Sequence, residues 1–214
     1  MRFPEGIYGI VTEQLCRGRS LLDVAREMIE GGVRILQYRE KEDKSRRVQY
    51  EECCLLREMT KRASVLFIVN DWVDLALACE ADGVHIGQED MPVEVVRKLV
   101  GKDKIIGLST HGPEQARKAF ESGVVDYIGV GPLFPTQTKV HPEGPVGLSY
   151  LEYVVNNIPI PFVAIGGIKE HNIDEVLGRG ARTVCLVTEI TQAEDVREKV
   201  KNLVKHLKRY GIET

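Results

Sequence analysis

Eight short runs rich in β-branched residues, each followed by a stretch with helical periodicity, constrain this chain more than any other feature. The runs are Ile7 to Val11, Arg34 to Gln37, Leu66 to Val69, Gly83 to Ile86, Ile105 to Leu108, Tyr127 to Val130, Phe162 to Ile165 and Thr183 to Val187. Most are continuously apolar rather than alternating, which suits strands buried on both faces and therefore parallel pairing under a cover of helices. The intervening stretches are apolar on one side only, as in Leu21, Val24, Ala25 and Met28, or Val196, Val200, Leu203, Val204 and Leu207. Gly-Val or Gly-Ala pairs at Gly32-Val33, Gly123-Val124 and Gly180-Ala181 mark where a helix ends and the next strand follows. Strict strand and helix alternation over 214 residues predicts an α/β fold, a closed (β/α)8 TIM barrel, as a single domain over residues 1–214. An open doubly wound sheet is the competing fold. It ordinarily carries a glycine-rich turn after its first strand, and Ile10-Val11-Thr12-Glu13 has no glycine.

Composition removes several function classes. With 29 Lys plus Arg against 32 Asp plus Glu the formal charge is −3, too small to attract nucleic acid or an anionic membrane over the whole surface. Any anion site must be local. No apolar run approaches the roughly 20 residues of a membrane span, and Pro4-Glu5 interrupts the region where a signal peptide needs unbroken apolar residues. Cys16, Cys53, Cys54, Cys79 and Cys185 are odd in number and form no CxxC pair, a pattern of reduced thiols. These features predict an unprocessed cytoplasmic protein.

In a barrel of this kind the loops after the strands carry chemistry, so the residues just beyond each C-terminal end matter most. Those loops are polar here. They read Gln37-Tyr38-Arg39-Glu40-Lys41, Asn70-Asp71, Gly87-Gln88-Glu89-Asp90, Ser109-Thr110-His111, Gly131 through Lys139, Gly166-Gly167-Ile168 and Thr188. Asp71 and Asp90 follow adjacent strands and can share one hard cation; Mg²⁺ is commonly held by one or two carboxylates completed by phosphates and water. Taken singly, each reads equally as a helix N-cap. Arg39, Lys41 and Lys139 bring cations to the same mouth, and one such charge about 4 Å from a phosphate contributes on the order of 4 kcal/mol at an effective dielectric near 20, before desolvation. The alternative for Arg39-Glu40-Lys41 is a solvated ion-pair cluster. Gly166-Gly167 and Val187-Thr188 occupy the places where such barrels build phosphate sites from backbone N–H groups, although a Gly-Gly pair is also an ordinary turn. Thr136 and Thr138 add hydroxyls from a long loop that reads as a lid or as an insertion. His85 reads as a satisfied barrel-lining residue, His111 as a helix-start residue or an acid–base group, and His141 and His171 as surface residues. No nucleophile elbow, HExxH or Walker sequence is present, which points to electrostatic rather than covalent catalysis.

The matching segments carry a resemblance to the thiamine-phosphate synthase family. They are QYREK (37–41), FIVNDWVDLALACEADGVHIGQEDMP (67–92), IIGLSTH (105–111), YIGVGPLFPTQTK (127–139) and VAIGGI (163–168), and together they span most of the chain. The resemblance implies a transferase of thiamine biosynthesis that joins an aminomethylpyrimidine diphosphate to a thiazole phosphate, giving thiamine monophosphate and pyrophosphate. It implies Mg²⁺ on Asp71 and Asp90, a diphosphate held by Arg39, Lys41, Asn70, Ser109 and Lys139, and a pyrimidine met by Gln37. Arg39, Lys41, Ser109 and Lys139 would carry catalysis. Thr136, Thr138, Gly167, Val187 and Thr188 would receive the thiazole phosphate. The implied mechanism is dissociative, with pyrophosphate leaving a stabilised pyrimidine cation that the thiazole nitrogen captures. A homodimer is also implied, with no nucleic-acid or membrane partner. The chain departs from the family at Trp72, where Arg is usual, and at Thr188, where Ser is usual. A thiazole tautomerase or a non-catalytic phosphate-binding barrel are the alternatives; neither needs the Asp71, Asp90, Arg39, Lys41 and Lys139 set.

Overall fold

A computed structural model describes residues 3–40, 44–136 and 144–213. Its strands are β1 (Gly6–Val11), β2 (Ile35–Tyr38), β3 (Leu66–Asn70), β4 (Gly83–Ile86), β5 (Ile105–Thr110), β6 (Tyr127–Val130), β7 (Phe162–Ile165) and β8 (Thr183–Cys185). All pair in parallel in sequence order, and β8 closes on β1 through Gly6 opposite Thr183 and Tyr8 opposite Cys185. The closed (β/α)8 barrel expected from the alternation is therefore present.

The helices are α1 (Leu21–Gly31), α2 (Arg46–Ala63), α3 (Val73–Ala78), α4 (Val93–Val100), α5 (Pro113–Glu121), α6 (Gly147–Asn157), α7 (Ile173–Leu177), α8 (Val187–Thr191) and α9 (Val196–Lys208). The apolar faces read in the sequence turn inward: Leu21, Val24, Ala25 and Met28 are buried on α1, and Val196, Val200, Leu203 and Leu207 on α9. Gly32 ends α1 at φ 108° and returns its N–H to the carbonyls of Met28 and Ile29. Such a left-handed position favours glycine because it lacks a Cβ.

The first three strands differ from the sequence reading by one residue at one or both ends, β3 taking in Asn70, and two others differ by two residues. The eighth strand stops at Cys185 rather than Val187, because its ladder partners end at Tyr8 and Ile165 and the chain turns at Leu186 into the short helix α8. The fifth strand runs on to Thr110, so Ser109 lies within the barrel wall opposite Gly129.

Two apolar layers hold the fold. A large one lies between strands and helices, and a small one fills the barrel with Tyr8, Ile10, Ile35, Leu66, Ile68, Tyr127, Val163 and Cys185. Along several strands the inward positions turn polar toward the C-terminal end, from Ile35 to Gln37, from Leu66 and Ile68 to Asn70, and from Ile105 to Ser109. The bottom is apolar and sealed; the top is polar and open.

The bottom is also braced by carboxylates that cap neighbouring strands. Asp82 accepts from the Phe67 N–H at 2.8 Å and from Arg57 at 2.9 Å, and Asp126 does the same for Ile106 (2.7 Å) and Arg97 (2.5 Å). Asp82→Ala leaves a backbone donor and a half-buried guanidinium unpaired. A loss of about 1–3 kcal/mol in denaturant unfolding is expected, with no change in substrate KM.

Candidate active site

A cavity of about 520 Å³ opens at the C-terminal ends of the strands. The sequence-derived residues Gln37, Arg39, Asn70, Ser109, Thr136, Gly167, Val187 and Thr188 all line it. They arrive from β2, β3 and β5, from the loops after β2, β6 and β7, and from the start of α8. Lys41, Thr138 and Lys139, also expected here, lie outside the described residues, as does His141.

At the β2 to β5 side, Gln37 is 3% exposed and its Nε2 donates to the Tyr8 hydroxyl at 2.7 Å. Tyr8 meets the Tyr127 hydroxyl at 2.9 Å, Tyr127 meets His85 Nδ1 at 2.9 Å, and His85 Nε2 meets Ser109 Oγ at 2.9 Å. His85 is thus the satisfied barrel-lining histidine that its place in the strand suggested. Arg39 is half-buried, and burial lowers its guanidinium from the ordinary value while the carboxylates of Asp71 and Glu40 pull it back up. Arg39 is therefore a charge held at the rim beside acidic neighbours rather than a solvated surface residue. His111 also lines the cavity, with Nδ1 2.6 Å from the Gly131 carbonyl and its N–H donating to Gln115. His171 is exposed.

The N-cap alternative fails for both aspartates: the residue capping α3 is Trp72 and the one before α4 is Pro92. Asp71 takes φ 60°, a conformation that costs a non-glycine residue energy and is concentrated at functional sites; its N–H donates to the His85 carbonyl at 2.8 Å. Asp90 is exposed, and its Oδ2 accepts from the Gly87 N–H at 2.6 Å. Asp90 lines a smaller hollow with Gly87, Gln88 and residues of α4 and α5, separate from the residues that line the main cavity. No cluster of three or more His, Cys, Asp or Glu stands among the described residues. Two carboxylates on neighbouring loops are a hard-oxygen donor set that suits a divalent cation completed by phosphate and water, not a closed all-protein site.

Trp72, the departure from the family pattern, is partly exposed and lies under the Arg46 guanidinium at 4.2 Å, while Arg46 grips Asp74 with both contacts below 2.8 Å. The indole N–H reaches the Glu40 carbonyl at 3.4 Å. Trp72 packs the rim and carries a stacked cation over it.

At the opposite side, Gly166 and Gly167 have φ 96° and 66° and turn the chain sharply after β7. Asn172 pins this turn, donating to the Gly167 carbonyl at 3.0 Å and accepting from the Lys169 N–H at 2.8 Å. The loop after β6 is strapped across it by Leu133 N–H to the Ile165 carbonyl and Phe134 N–H to the Gly166 carbonyl, both 3.0 Å. Lys169 was not anticipated from the sequence. Its Nζ donates to Thr188 Oγ1 at 2.6 Å inside the cavity and lies 3.5 Å from Glu189, which Lys199 also holds at 3.2 Å. Tyr8 and Tyr127 were missed as well; their signal was inward alternation in strands otherwise filled by aliphatic residues.

A parallel eight-stranded barrel with its polar groups gathered at the C-terminal rim, around a cavity closed at the bottom by apolar side chains, is the architecture of a barrel enzyme. Among such enzymes this chain belongs to the thiamine monophosphate synthase family, a family of transferases, whose model matches residues 7–190. It is 60% identical to the thiamine-phosphate synthase of Pelotomaculum thermopropionicum over 92% of this chain and 89% of that protein. It is 49% identical to that of Caldicellulosiruptor bescii over 95% and 92%. The solved structure of a thiamine phosphate pyrophosphorylase from Pyrococcus furiosus superposes with a TM-score of 0.86 at 36% identity, covering 96% of both chains. Among the described residues no helix is long and apolar enough to cross a membrane.

Proposed function

We propose that this chain forms thiamine phosphate by joining a 4-aminopyrimidine methyl diphosphate to a thiazole bearing a phosphoethyl arm, releasing pyrophosphate. The observation that carries the reading is the convergence on one cavity of an anion-binding set from β2, β3 and β5 and a glycine turn after β7. Arg39, Asn70 and Ser109 receive the diphosphate, aided by Lys41 and Lys139, and Gln37 meets the pyrimidine. Thr136, Thr138, Gly167, Val187 and Thr188 receive the thiazole phosphate. Both substrates are thereby drawn into one chamber, with their reactive atoms between the two anion sites.

The carbon–oxygen bond to the methylene breaks and its electron pair leaves with pyrophosphate. The thiazole nitrogen lone pair then forms the new carbon–nitrogen bond. That nitrogen carries no proton to remove, so the residues work by position and charge rather than as a base. Asp71 and Asp90 are the residues that would hold Mg²⁺, which supplies neutralisation of the leaving diphosphate. The whole chain works as one catalytic unit, in the cytoplasm, where its five unbridged thiols would stay reduced, and as a homodimer.

Lys169 joins the thiazole-phosphate set, since its ammonium already rests on the Thr188 hydroxyl. Lys169→Gln is expected to raise KM for the thiazole phosphate roughly ten-fold while leaving KM for the pyrimidine diphosphate unchanged, the worth of one charge-assisted contact. Equal effects on both substrates would remove Lys169 from the phosphate site. The function itself is tested by incubating the purified chain with both substrates and Mg²⁺ and following thiamine phosphate and pyrophosphate together. Stoichiometric appearance of the two products supports the reading; isomerisation of the thiazole without condensation would replace it with the tautomerase alternative.

A further inference from the structure

Two buried tyrosines and the half-buried His85 join the Gln37 end of the cavity to the Ser109 end. Gln37 Nε2 donates to the Tyr8 hydroxyl, and the remaining contacts run Tyr8 to Tyr127, Tyr127 to His85 Nδ1, and His85 Nε2 to Ser109 Oγ, none longer than 2.9 Å. A hydroxyl has one hydrogen to give, and a neutral imidazole has one N–H. Followed head to tail from Gln37, the contacts take one self-consistent sense. Tyr8 donates to Tyr127, Tyr127 donates to Nδ1, the imidazole proton sits on Nε2, and Ser109 accepts from it. In that sense the hydrogen of Ser109 is left to point into the cavity, and Gln37 keeps its carbonyl Oε1 and the second hydrogen of its amide.

We propose that Tyr8, Tyr127 and His85 are positioning residues that fix the polarity of both ends of the site. They hold Gln37 as an acceptor toward the pyrimidine amino group and Ser109 as a donor toward the departing diphosphate. The proposal rests on the substrates assigned above. A 4-oxo pyrimidine would set acceptor against acceptor at Gln37, so the relay also selects amino over oxo rings, as polar sites reject analogues that leave their buried groups unpaired.

The strands are shaped around this relay. A Cβ at position 107 would lie 2.2 Å from Tyr127 Cζ and 2.5 Å from His85 Nδ1. Glycine at 107 makes the room. Phe3 stacks on the Tyr127 ring at 4.5 Å and holds its plane. Tyr8 and Tyr127 are 2% and 0% exposed, and burial pushes both phenols above their ordinary range, so they remain donors.

The test begins with the imidazole ¹⁵N–¹H long-range spectrum of the ligand-free protein, with His85 assigned among the five histidines by its loss in His85→Gln. A single neutral Nε2–H tautomer is expected in the wild type, and a mixed tautomer in Tyr127→Phe, which keeps the stacked ring but deletes the donor. In turnover, Tyr127→Phe lowers kcat roughly ten-fold at unchanged pyrimidine KM, less than the 10²–10³ lost with a whole transition-state donor. Tyr8→Phe, which frees the Gln37 amide to flip, narrows the discrimination against the 4-oxo pyrimidine diphosphate. An Nδ1–H tautomer in the wild type, or a Tyr127→Phe protein with wild-type kcat, overturns the relay. The spectrum needs no substrate, so it decides the relay even if the condensation reaction is not found.

Discussion

Asp71→Asn is expected to lower kcat/KM for the condensation by roughly 10²–10³-fold, and EDTA applied to the wild type is expected to reproduce that loss. The magnitude follows from the several kcal/mol that a bound divalent cation contributes to a phosphate-derived leaving group. Asparagine is the informative substitution at this position. Asp71 sits at φ 60°, where Asn is nearly as comfortable as Asp and Ala is not, so Asn removes the charge without adding backbone strain. Unfolding should therefore be unchanged within about 0.5 kcal/mol. Chelator should then have no further effect on the residual rate of the variant, because the site it empties is already lost. If Asp71→Asn turns over normally with Mg²⁺, the two aspartates are not the cation site, and Asp71 owes its strained backbone to the Arg39 neighbourhood instead.

Gly167→Ala is expected to raise KM for the thiazole phosphate by about 10²-fold or more while KM for the pyrimidine diphosphate changes little. At φ 66° a side chain is strained, and its Cβ would lie 2.6 Å from the Pro135 carbonyl oxygen and 2.7 Å from Phe134 Cβ. Both neighbours belong to the loop strapped over the turn, so relief must come from pushing that loop, with Thr136, away from the cavity. A displacement near 1 Å is enough to cost about two orders of magnitude in a positioned site. Strain and overpacking together should also remove about 3 kcal/mol of stability, or roughly 6–12 °C of Tm for a chain of this size. A variant that loses stability but keeps its thiazole phosphate KM would separate the turn from phosphate binding and leave it a purely structural feature.

How far the site could be read from residues alone depended on whether a residue's role is carried by its own position in a strand or by what lies opposite. Gln37, Asn70 and Ser109 were legible because each closes a run of apolar residues in a strand, where a polar side chain has no place unless it faces a cavity. The glycine turn at 166–167 was legible for a similar reason. The relay was not. Tyr8 and Tyr127 are separated by 119 residues and meet only because β1 and β6 face each other across the barrel. Lys169 was passed over because a lysine after a turn is ordinarily solvated, and only the return of the chain at α8 places Thr188 within its reach. Asp90 illustrates the reverse case. The sequence put it beside Asp71 on an adjacent strand end, yet it lines a separate hollow against α4 and α5, tied to the Gly87 N–H.

The sequence by itself determined the alternation, the parallel barrel, the face on which chemistry would gather and the family, because strand and helix periodicity and short motifs are local and survive without knowledge of the fold. It also placed every strand end to within two residues, with the largest differences at the ends of β5 and β8. Only the tertiary structure decided which polar groups share a hydrogen bond and in which sense. Those choices depend on barrel closure, which fixes the facing of β1 against β6, and on the loss of water inside, which obliges each buried donor to find an acceptor.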